Sequence, residues 1–393
     1  MASREERKPT IIIFSITLAA GILSGMKPSL ILKNFLYGTI EPATLKLIIL
    51  VILIIFLGNL LKEKGGMRKI VSSVDTLIKD SRLSLIIPPA LIGLLPMPAG
   101  AMFSAPMVEE SSKKMNLKSE EKTFLNFWFR HVWEYSWPLY PGIILAAGIV
   151  GVSVRRIIFT QYPLTLAAIF AGFIFGVRRL LPNKVHLNNG GRDLLSGLKS
   201  LFVNIWPILA VIVLAIIFKL ELILSLIIII SLFLITTRVG WKKISRAIKA
   251  SINWEMVLLI IAVMIFKRVL ETSGALTIIP QISNYLKLSP FIIIILLPFI
   301  VGFLTGIPTG FVGPTIPLFL PFIGKTEPNL NYVMLIYAGG FAGTLLSPFH
   351  LCLFLTKSYF GANFKRVYKL LWMPVSFVTL VAIILVFIRQ LLV

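Results

Sequence analysis

The sequence predicts an all-α polytopic membrane protein built from two inverted-topology repeats, each with a re-entrant hairpin and a discontinuous transmembrane helix. Of its 393 residues 57% are hydrophobic and only 14% are charged, too little polar surface for a soluble chain of this length. Several apolar runs reach the roughly 20 residues that cross a bilayer core. Prolines and glycines recur at one fixed offset in two of these runs.

Hydropathy and loop charge together predict about nine to eleven spans. A basic segment precedes the first span, which is not read as a cleaved signal peptide because further spans follow it. Spans are expected near residues 10–26, 44–62, 123–151, 157–177, 199–219, 221–238, 252–271, 331–356 and 369–390. The pattern leaves open whether residues 27–43 form a short extra membrane segment.

Lysine and arginine indicate the orientation of these spans. Five loops carry four to six of them each: 62–82, 109–122, 178–199, 238–250 and 357–369. The positive-inside rule places these loops in the cytoplasm. All five can lie there only if segments 83–108 and 290–322 each return to the side of the membrane from which they enter. We therefore expect two re-entrant hairpins; two kinked spans are the alternative.

The net charge of +23 does not indicate a nucleic-acid partner. Lysines and arginines lie in short clusters between apolar spans, and no basic domain is present. Such clusters are typical of cytoplasmic loops that face anionic lipid headgroups. The expected partner of these residues is the lipid bilayer.

A shift of 210 residues aligns the two halves of the chain. LPMPAGAMFSAP (95–106) then meets TGIPTGFVGPTI (305–316). The matched pairs are Pro98 with Pro308, Gly100 with Gly310, Pro138 with Pro348, Gly151 with Gly361 and Arg156 with Arg366. By loop charge the first hairpin starts from inside and the second from outside. The halves 1–180 and 181–393 are therefore predicted to be inverted repeats, an arrangement typical of secondary transporters.

A broken span follows each hairpin. The first, FLNFWFRHVWEYSWPLYPG, contains Pro138 and Pro141, and the second, VMLIYAGGFAGTLLSPFHLCLFLTK, contains three glycines and Pro348. Unwound backbone at membrane depth is tolerated where it lines a cavity, and it exposes amide donors for an anion and carbonyls for Na⁺. We expect a binding site where the tips and the breaks converge.

Glu134 is the one acidic residue well inside an apolar span, and Arg130 and His131 lie one helical turn before it. Charge within a membrane segment is costly and by default suggests function. Two interpretations stay open: a structural Arg130–Glu134 pair at i, i+4, or a direct role in ion or proton coupling. His131 and His350 each lie beside a break, where they either couple protons or are satisfied hydrogen-bonding side chains.

Hydroxyl groups at the tips and breaks either cap freed backbone groups or contact a substrate carboxylate or Na⁺. A Na⁺ ion is expected near Ser104, Thr309, Ser136 or Ser347, and the single cysteine, Cys352, is expected to be an inert buried thiol. The candidate binding residues are Pro98, Gly100, Ser104, Arg130, His131, Glu134, Ser136, Thr309, Gly310, Gly313, Thr344, Ser347 and His350.

Patterns typical of enzymes are missing from the sequence. It contains no P-loop GxxxxGK[ST], no HExxH and no GxSxG. We therefore expect no enzymatic activity and no cofactor other than a coupling ion, Na⁺ or H⁺.

The segments PMPAGAMFSAP, NFWFRHVWEYSWPLYPG and LSPFHLCLFLT resemble signature segments of an uncharacterised prokaryotic integral membrane family. That family is grouped with the ion-transporter superfamily, alongside the gluconate, citrate, C4-dicarboxylate and divalent-anion:sodium symporter carriers. The resemblance implies inverted repeats, a homodimer and an elevator movement. It implies hairpin tips at Pro98–Ser104 and Pro308–Pro314, and breaks at Ser136–Pro138 and Ser347–His350. The Ser-Asn-Thr motif of the divalent-anion carriers is missing from both tips.

These observations predict a secondary active transporter in the plasma membrane of a prokaryote, carrying a small organic anion, a carboxylate, with Na⁺ or H⁺. Arg130 or the half-helix amides would meet the anion, and Glu134, His131 or His350 would carry the coupling. One alternative is a cation:proton antiporter in which Glu134 binds the exchanged ion. Another is a channel or a non-transporting membrane protein.

Overall fold

The computed structural model describes residues 8–66, 69–70, 73, 81–97, 99–113, 115–179, 194–275, 281, 285, 289–324 and 326–391. Every regular element in these ranges is a helix, and no strand occurs in them. The predicted all-α class is confirmed.

The helices of the first half are α1 Lys8–Leu23, α2 Pro28–Ile40, α3 Pro42–Glu63, α4 Ser81–Gly93, α5 Ala101–Ser112, α6 Ser119–His131, α7 Pro141–Val150 and α8 Val154–Phe175. Those of the second half are α9 Leu194–Ile212, α10 Leu222–Thr237, α11 Trp241–Ser251, α12 Trp254–Ser273, α13 Pro290–Thr305, α14 Pro308–Leu318, α15 Leu320–Ile323, α16 Leu330–Leu345, α17 Leu351–Phe360 and α18 Phe364–Leu391. A 3₁₀ turn, Val132–Tyr135, continues α6, a second 3₁₀ turn, Val177–Arg179, follows α8, and a π turn, Val213–Ile217, continues α9.

Five helical stretches of the described chain are long and apolar enough to cross a membrane. They are Pro42–Glu63, Val154–Phe175, Ser196–Ile217, Trp241–Ser273 and Phe364–Leu391. Shorter apolar helices of 10–17 residues accompany them. Large apolar side chains such as Leu166, Phe170 and Leu380 are exposed on these helices, as expected where lipid is the solvent. The chain is therefore a helical membrane protein, and the larger span count stays a prediction.

Helix boundaries recur at the 210-residue offset found in the sequence. α7 and α17 coincide at both ends, and α8 and α18 begin at equivalent residues. Gly151 and Gly361 follow α7 and α17 with φ of 79° and 64°, a left-handed conformation that glycine adopts without strain. The two halves therefore share local structure from the hairpin onward.

Packing between the halves is reciprocal. α5 packs on α17 while its counterpart α14 packs on α7, and α6 packs on α18 while its counterpart α16 packs on α8. When one contact is repeated with the partners exchanged, the arrangement has the character of a two-fold axis. N-terminal helices also cross the boundary between halves, because α1 and α2 pack on α12 and α3 packs on α11.

Each predicted hairpin consists of two helices that pack on each other, α4 with α5 and α13 with α14. The second turn is shorter than predicted. Gly306, with φ of 68°, ends α13, and α14 begins at Pro308, so the predicted tip Pro308–Pro314 is already helical. Proline at the first helical position costs nothing, because its fixed φ suits that position and its missing donor has no partner there.

Candidate functional site

The first break separates α6 from α7. The 3₁₀ turn Val132–Tyr135 follows α6, residues 136–140 lie outside any regular helix, and α7 begins at Pro141. Pro138 and Pro141 lack the backbone donor of a continuous helix and disfavour helical geometry in the residue before them.

The second break separates α16 from α17 and contains Pro348. The turn of the second hairpin lies directly against it. A Cβ added to Gly306 would stand 2.8 Å from the Phe349 carbonyl carbon and 2.9 Å from the His350 amide nitrogen. Glycine is therefore needed at Gly306 for close approach as well as for its positive φ.

Aromatic side chains of the first break cap the C-terminal end of α4. The last carbonyls of a helix have no intrahelical partner. The indoles of Trp133 and Trp137 and the hydroxyl of Tyr140 donate to these carbonyls. The acceptors are Ala90 at 2.8 Å, Leu94 at 2.9 Å and Gly93 at 2.6 Å. Part of the first break thus holds the end of the first hairpin helix.

Arg130 completes this cap with a charge. Its Nη2 donates to the carbonyls of Met97 at 3.2 Å and Leu95 at 3.5 Å. Its Nη1 donates to Glu134 Oε1 at 3.1 Å and to the Tyr140 hydroxyl at 2.7 Å. The guanidinium is 2% exposed, so the buried charge is compensated by one carboxylate and by the negative end of α4. The predicted i, i+4 ion pair is present.

Gly100 provides the space for this guanidinium. A Cβ at Gly100 would lie 2.8 Å from Arg130 Nε and 3.1 Å from Nη2. Any larger residue would displace the arginine or the tip. Pro98, the neighbouring candidate, lies outside the described residues.

Glu134 also joins the two halves. Its backbone carbonyl accepts a hydrogen bond at 2.9 Å from the Tyr337 hydroxyl of α16. A Cβ added to Gly142 would stand 2.9 Å from that hydroxyl and 3.1 Å from Pro308 Cβ. The start of the second hairpin's return helix therefore lies beside the first break.

His131 and His350 meet between the halves. Their Nε2 atoms are 3.1 Å apart, and both side chains are buried. His131 Nδ1 donates to the Phe127 carbonyl at 2.6 Å, and His131 Nε2 is 3.8 Å from Glu134 Oε1. Two candidates predicted from separate breaks are thus in direct contact.

The candidate hydroxyls are bonded to several different partners. Ser104 donates to Asn126 Oδ1 at 2.6 Å, and Ser136 shares a hydrogen bond with Thr165 at 2.7 Å. Thr344 and Ser347 donate to carbonyls, at 3.0 Å to Gly340 and at 2.6 Å to Phe303. These are the backbone-capping and packing roles, and the Na⁺ site near Ser104, Ser136, Thr309 and Ser347 stays a prediction.

The remaining candidates lie in α14. Thr309 is buried, and Gly310 and Gly313 permit close packing. A Cβ on Gly310 would lie 2.8 Å from the Thr305 side chain, and Gly313 faces Val263 of α12. Gly310 and Gly313 therefore allow α14 to pack closely on the end of α13 and on α12.

Four buried residues of the site were not among the predicted binding residues. Asn126 links Ala101 to Thr356, at 2.9 Å and 3.5 Å. Tyr140 and Tyr337 contact the Arg130–Glu134 pair, and Cys352 lies close to both histidines. Tyr140 lies between two prolines of the break, a position that could have marked it in the sequence. Asn126 and Cys352 lie two to four residues from predicted candidates, and Cys352 stood out as the single cysteine, whereas Tyr337 shows no such signal.

Comparison with known proteins identifies the family of this chain. The chain matches no curated protein. A family model described as "Protein of unknown function (DUF401)" matches residues 7–389, nearly the whole sequence. The chain therefore belongs to the DUF401 family.

Proposed function

We propose that this protein is a secondary active transporter that carries a small organic anion, a carboxylate, together with Na⁺ or H⁺. The observation that supports this most is the convergence of both hairpins and both helix breaks around the buried Arg130–Glu134 pair. Ionised groups inside a membrane protein are expensive, and they suggest a functional site by default.

The architecture supports an alternating-access mechanism. Shared helix boundaries and reciprocal packing are what two repeats related by a pseudo-two-fold axis would give. On these grounds and on the loop charges we propose inverted repeats and re-entrant hairpins. The elevator movement, the homodimer and the prokaryotic plasma membrane are proposed from the family resemblance alone. The ion-transporter superfamily is the relationship that best accounts for this combination.

The half-helix N-termini are the best candidates for contact with the anion. Arg130 is already engaged by Glu134, by Tyr140 and by carbonyls of the turn after α4, so we assign it to holding the first hairpin in place. The helices α7 and α17 both begin at breaks, where the positive ends of their dipoles suit a carboxylate.

A cleft of about 550 Å³ reaches the first break. It extends to Pro138 of the first break and is lined by α3, α7, the start of α8 and the π turn after α9. Its basic residues are Lys46, Arg155 and Lys219, and its acidic residue, Glu221, pairs with Lys46 at 3.3 Å. The volume suits a small-molecule ligand, and the excess of positive charge favours an anion.

Uptake into proteoliposomes tests the proposal. We expect accumulation of at least one mono-, di- or tricarboxylate to depend on an imposed Na⁺ or proton gradient. Arg155→Gln with Lys219→Gln should raise KM and leave kcat unchanged, because these residues attract the anion without holding it. Lys242→Gln, a basic residue of α11 that does not line this cleft, is the matched control. Gradient-independent flux with large conductance would indicate a channel and overturn the proposal.

A cation:proton antiporter is the second candidate. Glu134 favours it, because among the described residues Glu134 is the one carboxylate that is fully buried. Cation exchange should be lost in Glu134→Gln if Glu134 binds the exchanged ion. Gradient-driven carboxylate uptake that survives this substitution would support the anion transporter instead.

A further inference from the structure

We propose that His131, His350 and Cys352 form a binding site for a transition-metal dication of the Zn²⁺ class, which bridges the two halves of the protein. The two imidazole Nε2 atoms are 3.1 Å apart, and one ring nitrogen of each histidine lies within 4.8 Å of the other and of the cysteine Sγ; all three residues are buried. His131 is the last residue of α6, whereas His350 and Cys352 stand at the start of α17. This inference does not depend on the proposed transport activity.

The distance between the histidines suits two ligands of one ion. Zinc–nitrogen bonds of ~2.0–2.1 Å with the observed Nε2–Nε2 separation of 3.1 Å give an N–Zn–N angle of roughly 100°, near tetrahedral. A zinc–sulfur bond of ~2.3 Å calls for nitrogen–sulfur separations of about 3.6 Å. One ring nitrogen of each histidine and the Cys352 Sγ span at most 4.8 Å, so a movement of about 1 Å brings the thiol to bonding distance of the ion.

The hydrogen bonds of His131 prepare it for this role. Metal-binding histidines usually donate their other ring N–H to a carbonyl or carboxylate, which fixes the tautomer. His131 Nδ1 donates to the Phe127 carbonyl at 2.6 Å, so in the neutral ring the Nε2 lone pair faces His350. His350 Nδ1 makes no close hydrogen bond among the described residues, and the Gly306 backbone lies beside this ring, so Nδ1 can carry the ring proton when Nε2 binds the metal. The Cys352 thiol would lose its proton to solvent, so one proton is released per ion bound.

The surroundings offset part of the charge of the ion. The Cys352 thiolate would neutralise one of its charges, and the Glu134 carboxylate, which also pairs with Arg130, has its Oε1 3.8 Å from His131 Nε2. Three protein ligands leave a fourth position for water or another small ligand. Phe349, next to His350, is 68% exposed, so the site lies one residue from the protein surface.

Titration with Co²⁺ and Zn²⁺ tests the site directly. The protein is purified with a tag that contains neither histidine nor cysteine. We expect one Co²⁺ per chain, with the visible bands of tetrahedral coordination and a thiolate-to-cobalt charge-transfer band that Zn²⁺ abolishes by displacement. Because the chain contains one cysteine, this band can arise only from Cys352.

Variants then assign the ligands. Cys352→Ser should remove the charge-transfer band, and His131→Gln or His350→Gln should weaken Co²⁺ binding by at least about tenfold, the least that loss of even an outer-shell partner costs. Leu351→Ala changes an exposed neighbour, and His186→Gln removes the third histidine of the sequence; both should bind as the unsubstituted protein does.

Two results would overturn the proposal. One is the absence of the charge-transfer band in the unsubstituted protein, which would leave a simple histidine–histidine hydrogen bond. The other is unchanged Co²⁺ affinity in a His350→Gln protein that elutes as a single species and unfolds cooperatively. The titration of the unsubstituted protein decides the question even if the variants fail to fold. Because it uses no transport assay, a failed uptake experiment leaves its outcome unaffected.

Discussion

Arg130 shows how one residue meets the energetic problem of a buried charge. Burial removes its hydration, and the loss is compensated by Glu134, by Tyr140 and by two carbonyls in the turn that follows α4. The same contacts hold the first hairpin to the first break. Its charge within a membrane span marked Arg130 as a candidate residue in the sequence. Its structural role follows only from these contacts.

Removing the Glu134 carboxylate should leave this arginine as a buried cation without an ionic partner. We expect Glu134→Gln to lower the free energy of unfolding by ~3–5 kcal/mol, the usual cost of breaking a buried pair. Arg130→Gln with Glu134→Gln should be less destabilised than the sum of the single variants. Unfolding followed in detergent measures these values. Glu110→Gln, whose partner Lys113 is at the surface, should leave the midpoint unchanged, and additive effects of the two buried substitutions would contradict the expectation.

Gly100 is the second residue whose role depends on close contact. Gly100→Ala should lower the free energy of unfolding by ~1–3 kcal/mol, as overpacking in a filled core does. The reason is the 2.8 Å separation between the new Cβ and Arg130 Nε. Gly58→Ala is the matched control, because no atom lies within 4 Å of a Cβ added there. Equal stability of the two variants would show that the tip moves aside freely.

At the scale of elements, the two hairpins are attached in different ways. Three aromatic side chains and an arginine donate to carbonyls at the end of α4 and in the turn after it. At the equivalent end of α13, Ser347 donates to Phe303, and α13 packs on α16 through Gly302, Gly339 and Gly343, which lets the backbones approach closely. The first hairpin is thus held by polar caps and the second by close helix packing.

The polar caps can be weakened one at a time. Tyr140→Phe should lower the free energy of unfolding by ~1–3 kcal/mol, because the Gly93 carbonyl and Arg130 Nη1 both lose a buried partner. Tyr359→Phe is the control, since its hydroxyl meets Glu109 at an exposed position. Comparable thermal shifts for the two variants would argue against the capping role.

At the scale of the whole molecule, the two halves exchange equivalent contacts. α5 contacts α17 as α14 contacts α7, and α6 contacts α18 as α16 contacts α8. This reciprocity agrees with the pairing of equivalent segments that the matched prolines and glycines predicted. Whether the two halves are inverted in the membrane depends on the sides to which the loops project.

Cysteine accessibility tests that orientation. Lys113→Cys and Glu327→Cys are both exposed in loops that follow the two hairpins, and inverted repeats place them on opposite sides of the membrane. A membrane-impermeant thiol reagent applied to oriented vesicles should therefore label only one of them. The unsubstituted protein is the control, because Cys352 is buried and should not react. Labelling of both from the same side would show that the inverted-hairpin model is wrong.

Much of the fold could be predicted from the sequence because hydropathy and proline act locally. The all-α class, the interrupted segments and the close i, i+4 pairing of Arg130 with Glu134 all follow from residues near each other in the chain. The hairpin tip predicted over Pro308–Pro314 was misplaced. The prediction treated proline as a helix breaker, although proline also fits the first turn of a helix. The roles of Trp133, Trp137 and Tyr140 also escaped prediction, because a membrane aromatic suits a lipid interface, a cavity wall or a cap equally well.

The sequence by itself determined that this chain is a helical membrane protein with two matching broken segments, because bilayer thickness and proline geometry act on each segment separately. Only the tertiary structure decided which of these residues meet. His131 and His350 are 219 positions apart and lie 3.1 Å from each other, and Cys352 joins them. The sequence around each residue does not indicate this contact, because the contact depends on how the two halves pack. Cys352, which the sequence predicted to be an inert buried thiol, is therefore placed beside two histidines, and the metal proposal depends on it.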